Sequence, residues 1–337
     1  MGPSRTLIRV FILILIGALF AACGDDDNGG GSDTGLTVVA STSIIGALAE
    51  QVGGERVRVE TLIGRGVDPH TFEMTPGDVR TLADADLVLI IGLELDDYLI
   101  EDVQSTNADA DVIVVTDGVE LLELGEHHDD EHEAEEHEDA DHEEHEDEGE
   151  HEEEHEHGAF DPHVWQDALR VKVMVQNIAA ALSDADPDHA SEYRANAADY
   201  QATLDETHAE IQALIDEIPA ERRKLVTNHE AFAYFADRYG LEIVGTVITG
   251  GSSEADPSAG DIAALTELIE AEDVPAIFTE ALLDPTVADA LASDTGVQIV
   301  HGLYSDQVGE PGSGAETVHA MLLANATKIS EALRQSR

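Results

Sequence analysis

Residues 186–219 read DPDHASEYRANAADYQATLDETHAEIQALIDEIP, and this stretch decides the architecture. Pro187 suits the first turn of a helix, Asp186 stands where a cap belongs, and Pro219 marks the stop. Within it Tyr193, Tyr200, Leu204, Ile211, Leu214, Ile215 and Ile218 recur at helical spacing and make one apolar face. About thirty residues at 1.5 Å each give a rod of roughly 45 Å, long enough to run along two lobes and to limit hinge motion between them.

Both flanks of the rod alternate strand and helix. Before it, Leu36–Ser41, Val57–Ile63, Leu87–Gly92 and Val112–Thr116 read as strands, with helical patterns over Ile44–Val52 and Pro76–Ala85. After it, Lys224–Thr227, Leu241–Ile248, Ala276–Thr279 and Val297–Val300 read as strands, between helices at Ala231–Tyr239, Asp261–Glu270 and Val287–Ser293. Such alternation implies mainly parallel sheets flanked by helices. The expected fold is α/β, with two lobes (36–185 and 220–337), a long rigid helix (186–219) joining them, and a cleft between.

The remaining segments do not build a core. Arg5 and Arg9, the apolar run Val10–Phe20 and Ala21-Ala22-Cys23 follow the order of an export signal, with 1–22 removed and Cys23 bearing lipid. Phe20 stands where Leu or Val is usual, and an uncleaved anchor or ordinary secretion is the alternative. The stretch to residue 35 is Gly, Asp, Asn, Ser and Thr, a flexible spacer. Residues 126–157 hold 9 His and 20 Asp or Glu, with no apolar residue larger than alanine. This insert is expected to be a disordered loop, and imidazole with carboxylate suits weak capture of zinc-like ions. Its imidazoles are His127, His128, His132, His137, His142, His145, His151, His155 and His157. The run from His151 to His155 matches the H-E-x-x-H pattern of zinc proteases. That motif needs a packed helix, which this segment has no apolar face to form, so the match is rejected.

Charge excludes some partners. The 337 residues carry 73 Asp and Glu against 16 Lys and Arg, a net charge of −57, which repels nucleic acid and an anionic membrane surface. A single cysteine rules out a disulfide framework and a Cys-rich metal site.

Seven histidines lie outside the insert. His189, His208 and His319 sit in polar helical stretches and read as surface residues. His301, at a strand end, reads as structural more readily than as a ligand. Three others share a logic. His70 lies in Asp68-Pro69-His70 after a strand, His163 in Asp161-Pro162-His163 after the insert, and His229 at the end of the Lys224–Thr227 strand. Ligands of open α/β sheets gather beyond the carboxyl ends of the strands, and proline pre-sets the backbone that presents each imidazole. Asp306, after the last strand, is the expected fourth ligand. Glu280, after the Ala276–Thr279 strand, is its rival, either as a ligand or as an acceptor for an imidazole N–H.

With these residues in place the chain resembles the metal-binding solute-binding proteins of zinc and manganese ABC importers. The markers are Pro69-His70-Thr71-Phe72-Glu73, Asp161-Pro162-His163-Val164-Trp165, Thr227-Asn228-His229-Glu230-Ala231-Phe232, Tyr234–Gly240 and Ser253–Ser258. The resemblance runs from Leu36 to the carboxyl end. It implies two α/β lobes with the metal between them, ligands at His70, His163, His229 and Asp306, a membrane permease as partner, and an acidic His-rich loop as in zinc members. Manganese members look to carry Glu where this chain has His229. Three imidazoles and one carboxylate suit tetrahedral zinc better than manganese.

The expected function is an exported, lipid-anchored, monomeric receptor that captures Zn2+, with Mn2+ second, and delivers it to the permease by an opening that draws Asp306 away. An extracellular zinc store or chaperone uses the same chain. A zinc hydrolase is least favoured, because Asp306 closes the position a water would take and no general base accompanies the histidines.

Overall fold

The computed structural model describes residues 35–107, 110–123, 160–248 and 257–334. The export signal, Cys23, the insert with its nine histidines, and residues 249–256, which include 253–256 of the last sequence marker, lie outside these residues.

The first half runs β1 (Leu36–Thr42), α1 (Ser43–Gly53), β2 (Val57–Ile63), α2 (Pro76–Ala83), β3 (Leu87–Ile90), α3 (Tyr98–Thr106) and β4 (Asp111–Val114). Then come α4 (Ala168–Ala185) and the long α5 (Ala190–Asp216). The second half runs β5 (Lys224–Thr227), α6 (Ala233–Tyr239), β6 (Glu242–Thr246), α7 (Ala259–Ala271), β7 (Ala276–Glu280), α8 (Thr286–Thr295), β8 (Gln298–Leu303) and α9 (Val318–Arg334). Each half carries a four-stranded parallel sheet, ordered β2-β1-β3-β4 and β6-β5-β7-β8. In each, the chain reverses its direction of winding beside the first strand. That leaves a crevice beyond the carboxyl ends of β1 and β3, and another beyond β5 and β7.

The expected strands all form, and both faces of β1 and β3 are buried, as parallel strands require. The long helix begins later than its sequence signal. A 3-10 turn at Pro187–His189 precedes it, and Asp186 caps no backbone group there. The Asp186 carboxylate instead accepts from the Tyr193 hydroxyl at 2.7 Å and lies 2.7 Å from His189 Nδ1. The apolar face of α5 is as read, with Tyr193, Tyr200, Leu204, Ile211 and Ile215 buried. It packs on α4, α9 and α1. One apolar core runs through both halves, from Val38 and Leu87 through Tyr200 and Ile211 to Phe278 and Leu333. Two smaller clusters cover the outer sheet faces.

Polar contacts reinforce the junction of the halves. Asp167 caps α4 by accepting from Leu169 N–H, and its buried carboxylate also accepts from Arg170 (2.8 Å) and Arg238 (2.8 Å). Arg170 stacks over the Tyr234 ring. The Tyr234 hydroxyl donates to the Asp161 carbonyl at 2.8 Å and accepts from Leu122 N–H at 3.0 Å. Segment 161–170 is therefore bonded to α6 across the junction.

A second buried carboxylate shapes the first sheet's exit. Asp96 is fully buried and accepts from the N–H groups of Ile91 (2.9 Å) and Gly92 (2.7 Å), closing a turn in which Gly92, Leu93 and Glu94 adopt φ of 78°, 58° and 64°. Burial pushes its carboxyl up to about 6, against the opposing pull of the Ile91 and Gly92 N–H groups. A carboxyl raised in the folded state contributes stability at low pH that is lost as pH rises through the folded value. Denaturant unfolding should therefore show the parent gaining stability relative to Asp96→Asn as pH falls from about 7 to about 5. A pH-independent difference between the two would contradict this account of Asp96.

Candidate metal centre

Each histidine-bearing turn is built by its own local chemistry. At Asp68-Pro69-His70 the Asp68 carboxylate accepts from His70 N–H at 2.9 Å, and Pro69 opens a 3-10 turn. Asp161-Pro162-His163 repeats the device, with Asp161 accepting from His163 N–H at 2.9 Å. Proline alone was credited with presenting these imidazoles in the sequence reading. The aspartate two residues earlier shares the task, as Asp side chains do in turns. His229 follows β5 directly, in the crevice between β5 and β7, and Glu280 ends β7 beside it. Both His229 N–H (3.0 Å) and Asn228 N–H (3.1 Å) donate to Glu280 Oε1.

The structure brings His70, His163, His229 and Asp306 together. Their nearest ligand atoms all lie within 4.8 Å of one another, the only such group among the described residues. His163 Nε2 is 3.3 Å from His70 Nε2 and 3.2 Å from Asp306 Oδ1. His229 Nε2 is 3.4 Å from Asp306 Oδ2, and His70 Nε2 is 3.9 Å from Oδ1. The three Nε2 atoms thus face one small volume. His163 and His229 are fully buried and Asp306 nearly so, whereas His70 keeps a partly exposed edge.

The outward-facing nitrogens are held separately. His163 Nδ1 lies 2.6 Å from Asp161 Oδ1, and His229 Nδ1 lies 2.6 Å from Glu280 Oε2. A carboxylate on Nδ1 fixes the tautomer and leaves Nε2 as a lone-pair donor. Glu280 stands behind His229, on its Nδ1 side, and outside the group of four. Asp161 plays the same part for His163, and sequence reading missed it. The signal was present as the repeated Asp-Pro-His. Asp306 is placed by a covalent neighbour and by the first half. Ser305 Oγ donates to Asp306 Oδ2 at 2.7 Å, and the Ser305 carbonyl accepts from Trp165 Nε1 (2.6 Å) and Gln166 Nε2 (2.8 Å).

The other histidines lie elsewhere. His301 is exposed beside Thr279 and Asp289. His189 meets Asp186, while His208 and His319 are partly buried against Tyr239 and Tyr200 rather than free on the surface.

Electrostatics follow from this packing. Burial disfavours charge on His163, but Asp161 and Asp306 outweigh it and raise its imidazole to about 10. His229 is raised in the same way, burial being overcome by Glu280 and Asp306. His70 is lowered to about 4 by burial and by its two cationic neighbours, with Asp306 only partly compensating. Burial would raise the Asp306 carboxyl, yet the imidazoles hold it well below the usual range. In the metal-free site His163 and His229 are thus biased toward the protonated form by the carboxylates around them, and His70 toward the neutral one. A metal ion entering it displaces protons, because an imidazole binds metal only when its nitrogen is free. Calorimetry in buffers of differing ionisation enthalpy should find about two protons released per ion near neutral pH, with affinity falling as pH falls. Proton-neutral binding would show the imidazoles already free.

Two α/β lobes spanned by a helix, with a buried polar site where their strand ends meet, define a solute-binding protein. A family profile described as zinc-uptake complex component A, periplasmic, matches residues 38–332, and the chain belongs to that family. It is similar to the manganese-binding lipoprotein MntA of Halalkalibacterium halodurans, 32% identical over 326 residues and covering 96% of this chain and 98% of the relative. It is 27% identical to the manganese ABC transporter substrate-binding lipoprotein PsaA of Streptococcus mitis, covering 98% of this chain and 99% of that one. Among solved structures, the periplasmic zinc binding protein TroA of Treponema pallidum superposes with a TM-score of 0.75 at 28% identity, over 89% of this chain and 100% of TroA. The chain is accordingly an extracytoplasmic binding protein of the ABC-importer type and not an enzyme. The named metals differ among these relatives.

Proposed function

We propose that this protein is a zinc receptor that captures the ion outside the cytoplasm and hands it to an ABC permease. His70, His163, His229 and Asp306 are the ligands, and lipid on Cys23 keeps the monomeric receptor at the membrane. The observation that carries the reading is the spacing of the four donor atoms. A tetrahedral ion with bonds of about 2.0–2.1 Å holds its ligands about 3.3 Å apart. His163 Nε2 lies 3.3 Å from His70 Nε2 and 3.2 Å from Asp306 Oδ1, and His229 Nε2 lies 3.4 Å from the other Asp306 oxygen. The 3.9 Å from His70 Nε2 to Oδ1 is the contact an ion would draw in. Three imidazole nitrogens also favour zinc over manganese, which prefers carboxylate and water oxygens. The nine histidines of the insert gather further ions weakly. The described residues on either side of it, Glu123 and Phe160, form an antiparallel bridge next to Asp161.

A manganese receptor is the second reading, favoured by the name and 32% identity of MntA. The chemistry of His229 separates the two. Titration of the metal-free protein should give one tight zinc equivalent followed by weaker insert sites, with manganese at least about a hundredfold weaker. Manganese binding as tight as zinc would transfer the assignment to manganese. Glu280→Ala, which frees the His229 ring, should weaken the tight equivalent by about 10- to 100-fold while leaving the weak ones unchanged. An unaltered tight phase would remove Glu280 from the account.

A further inference from the structure

The four proposed ligands are not held equally. His163 and His229 are joined across the halves through Asp161, Tyr234, Asp167 and Arg238, as described above. Asp306 is tied to the His163 segment by Trp165 and Gln166, and Tyr304, two residues earlier, is clamped at N–H (2.9 Å) and carbonyl (2.7 Å) by the buried Asn325 of α9. His163, His229 and Asp306 thus form a floor stitched from both sides. His70 is different. It rides on the β2–α2 connection, 64–75, where Arg65, Gly66, Val67, Thr71, Glu73 and Thr75 are exposed. Gly66 takes φ 80°, and a side chain added at Gly64 or Gly66 would meet nothing within 4 Å.

Two hydrogen bonds join this connection to the segment that follows Asp306. Gly66 N–H donates to Gln307 Oε1 at 2.6 Å, and Arg65 Nε donates to the Gly309 carbonyl at 3.0 Å. Gln307 itself is buried beside Asp306. Neither bond touches the ligand atoms. Both close the side of the site at which His70 is partly open.

We propose that Arg65 and Gln307 are a latch that holds the His70 connection over the floor, so that the ion leaves by withdrawal of His70 rather than of Asp306. The inference rests on the metal-receptor reading and deepens it. Withdrawing Asp306 would break the hydrogen bonds that Trp165 and Gln166 make to the Ser305 carbonyl and disturb the Asn325 clamp on Tyr304. Withdrawing His70 leaves those bonds intact and breaks the two latch bonds, at a connection otherwise anchored by the half-buried packing of Phe72 and Met74. Arg65 and Gln307 are positioning residues and carry no metal contact.

The test uses the full-length protein loaded with one zinc equivalent and mixed with excess chromophoric chelator. Losing both latch bonds in Arg65→Ala/Gln307→Ala should speed release of the tight ion about tenfold. Arg65→Lys, which keeps a donor toward Gly309, should stay within about twofold of the parent. Cobalt loaded in place of zinc should show the parent's visible spectrum in both variants, because the four ligands are unchanged. Parental release from the double variant would overturn the latch. A changed cobalt spectrum would also overturn it, since these residues would then shape the ligand set. If the parent itself held no tight ion, the receptor reading would fail instead, and the two failures are distinguishable.

Discussion

A carboxylate buried among three imidazoles is the constraint on which this structure turns. Asp306 lies where water cannot solvate it, and an isolated carboxylate there would cost several kcal/mol. The cost is offset by His163 and His229, both raised toward the protonated form and backed in turn by Asp161 and Glu280. Carboxylates and imidazoles alternate across the five groups, from Asp161 through His163, Asp306 and His229 to Glu280. That balance is kept when a divalent ion replaces the protons, which makes the cavity a preorganised exchanger rather than a hole awaiting a ligand.

The fold supplies what this arrangement demands. Donors from four separate turns must meet within a few tenths of an ångström, and none is adjacent to another in sequence. Parallel sheets present strand-end turns on one edge, and the two sheets bring such edges face to face. The single core running through α4, α5 and α9 then keeps the halves in register. Buried cross-links at Asp167 and Tyr234 do the same close to the site. Apolar packing sets the approximate position of the halves, and polar contacts set the final geometry of the ligands.

Much of this was legible in the sequence because it is periodic or chemically specific. The apolar stripe of α5, the eight strands and the Asp-Pro-His repeats are local patterns, and each sits where its pattern placed it. The rest depended on contacts between distant segments. The helix 168–185 went unassigned although Val171, Met174, Val175, Ile178 and Leu182 are spaced for one face, and 98–106 and 318–334 were likewise passed over. The start of the long helix was misplaced because Asp186 looks like a cap in sequence yet spends its carboxylate on Tyr193 and His189. No local pattern could show that Gln166, Trp165 and Asn325 hold the backbone around Asp306, since those partners lie up to 140 residues away.

The central claim, one ion held by three imidazole nitrogens and one carboxylate, is tested most directly by X-ray absorption at the zinc edge of protein loaded with a single equivalent. The account predicts a four-coordinate ion with nitrogen and oxygen at about 2.0–2.1 Å and outer-shell scattering from three imidazole rings. An ion with five or six oxygen-dominated neighbours, or one whose spectrum is the same in Asp306→Ala, would contradict it.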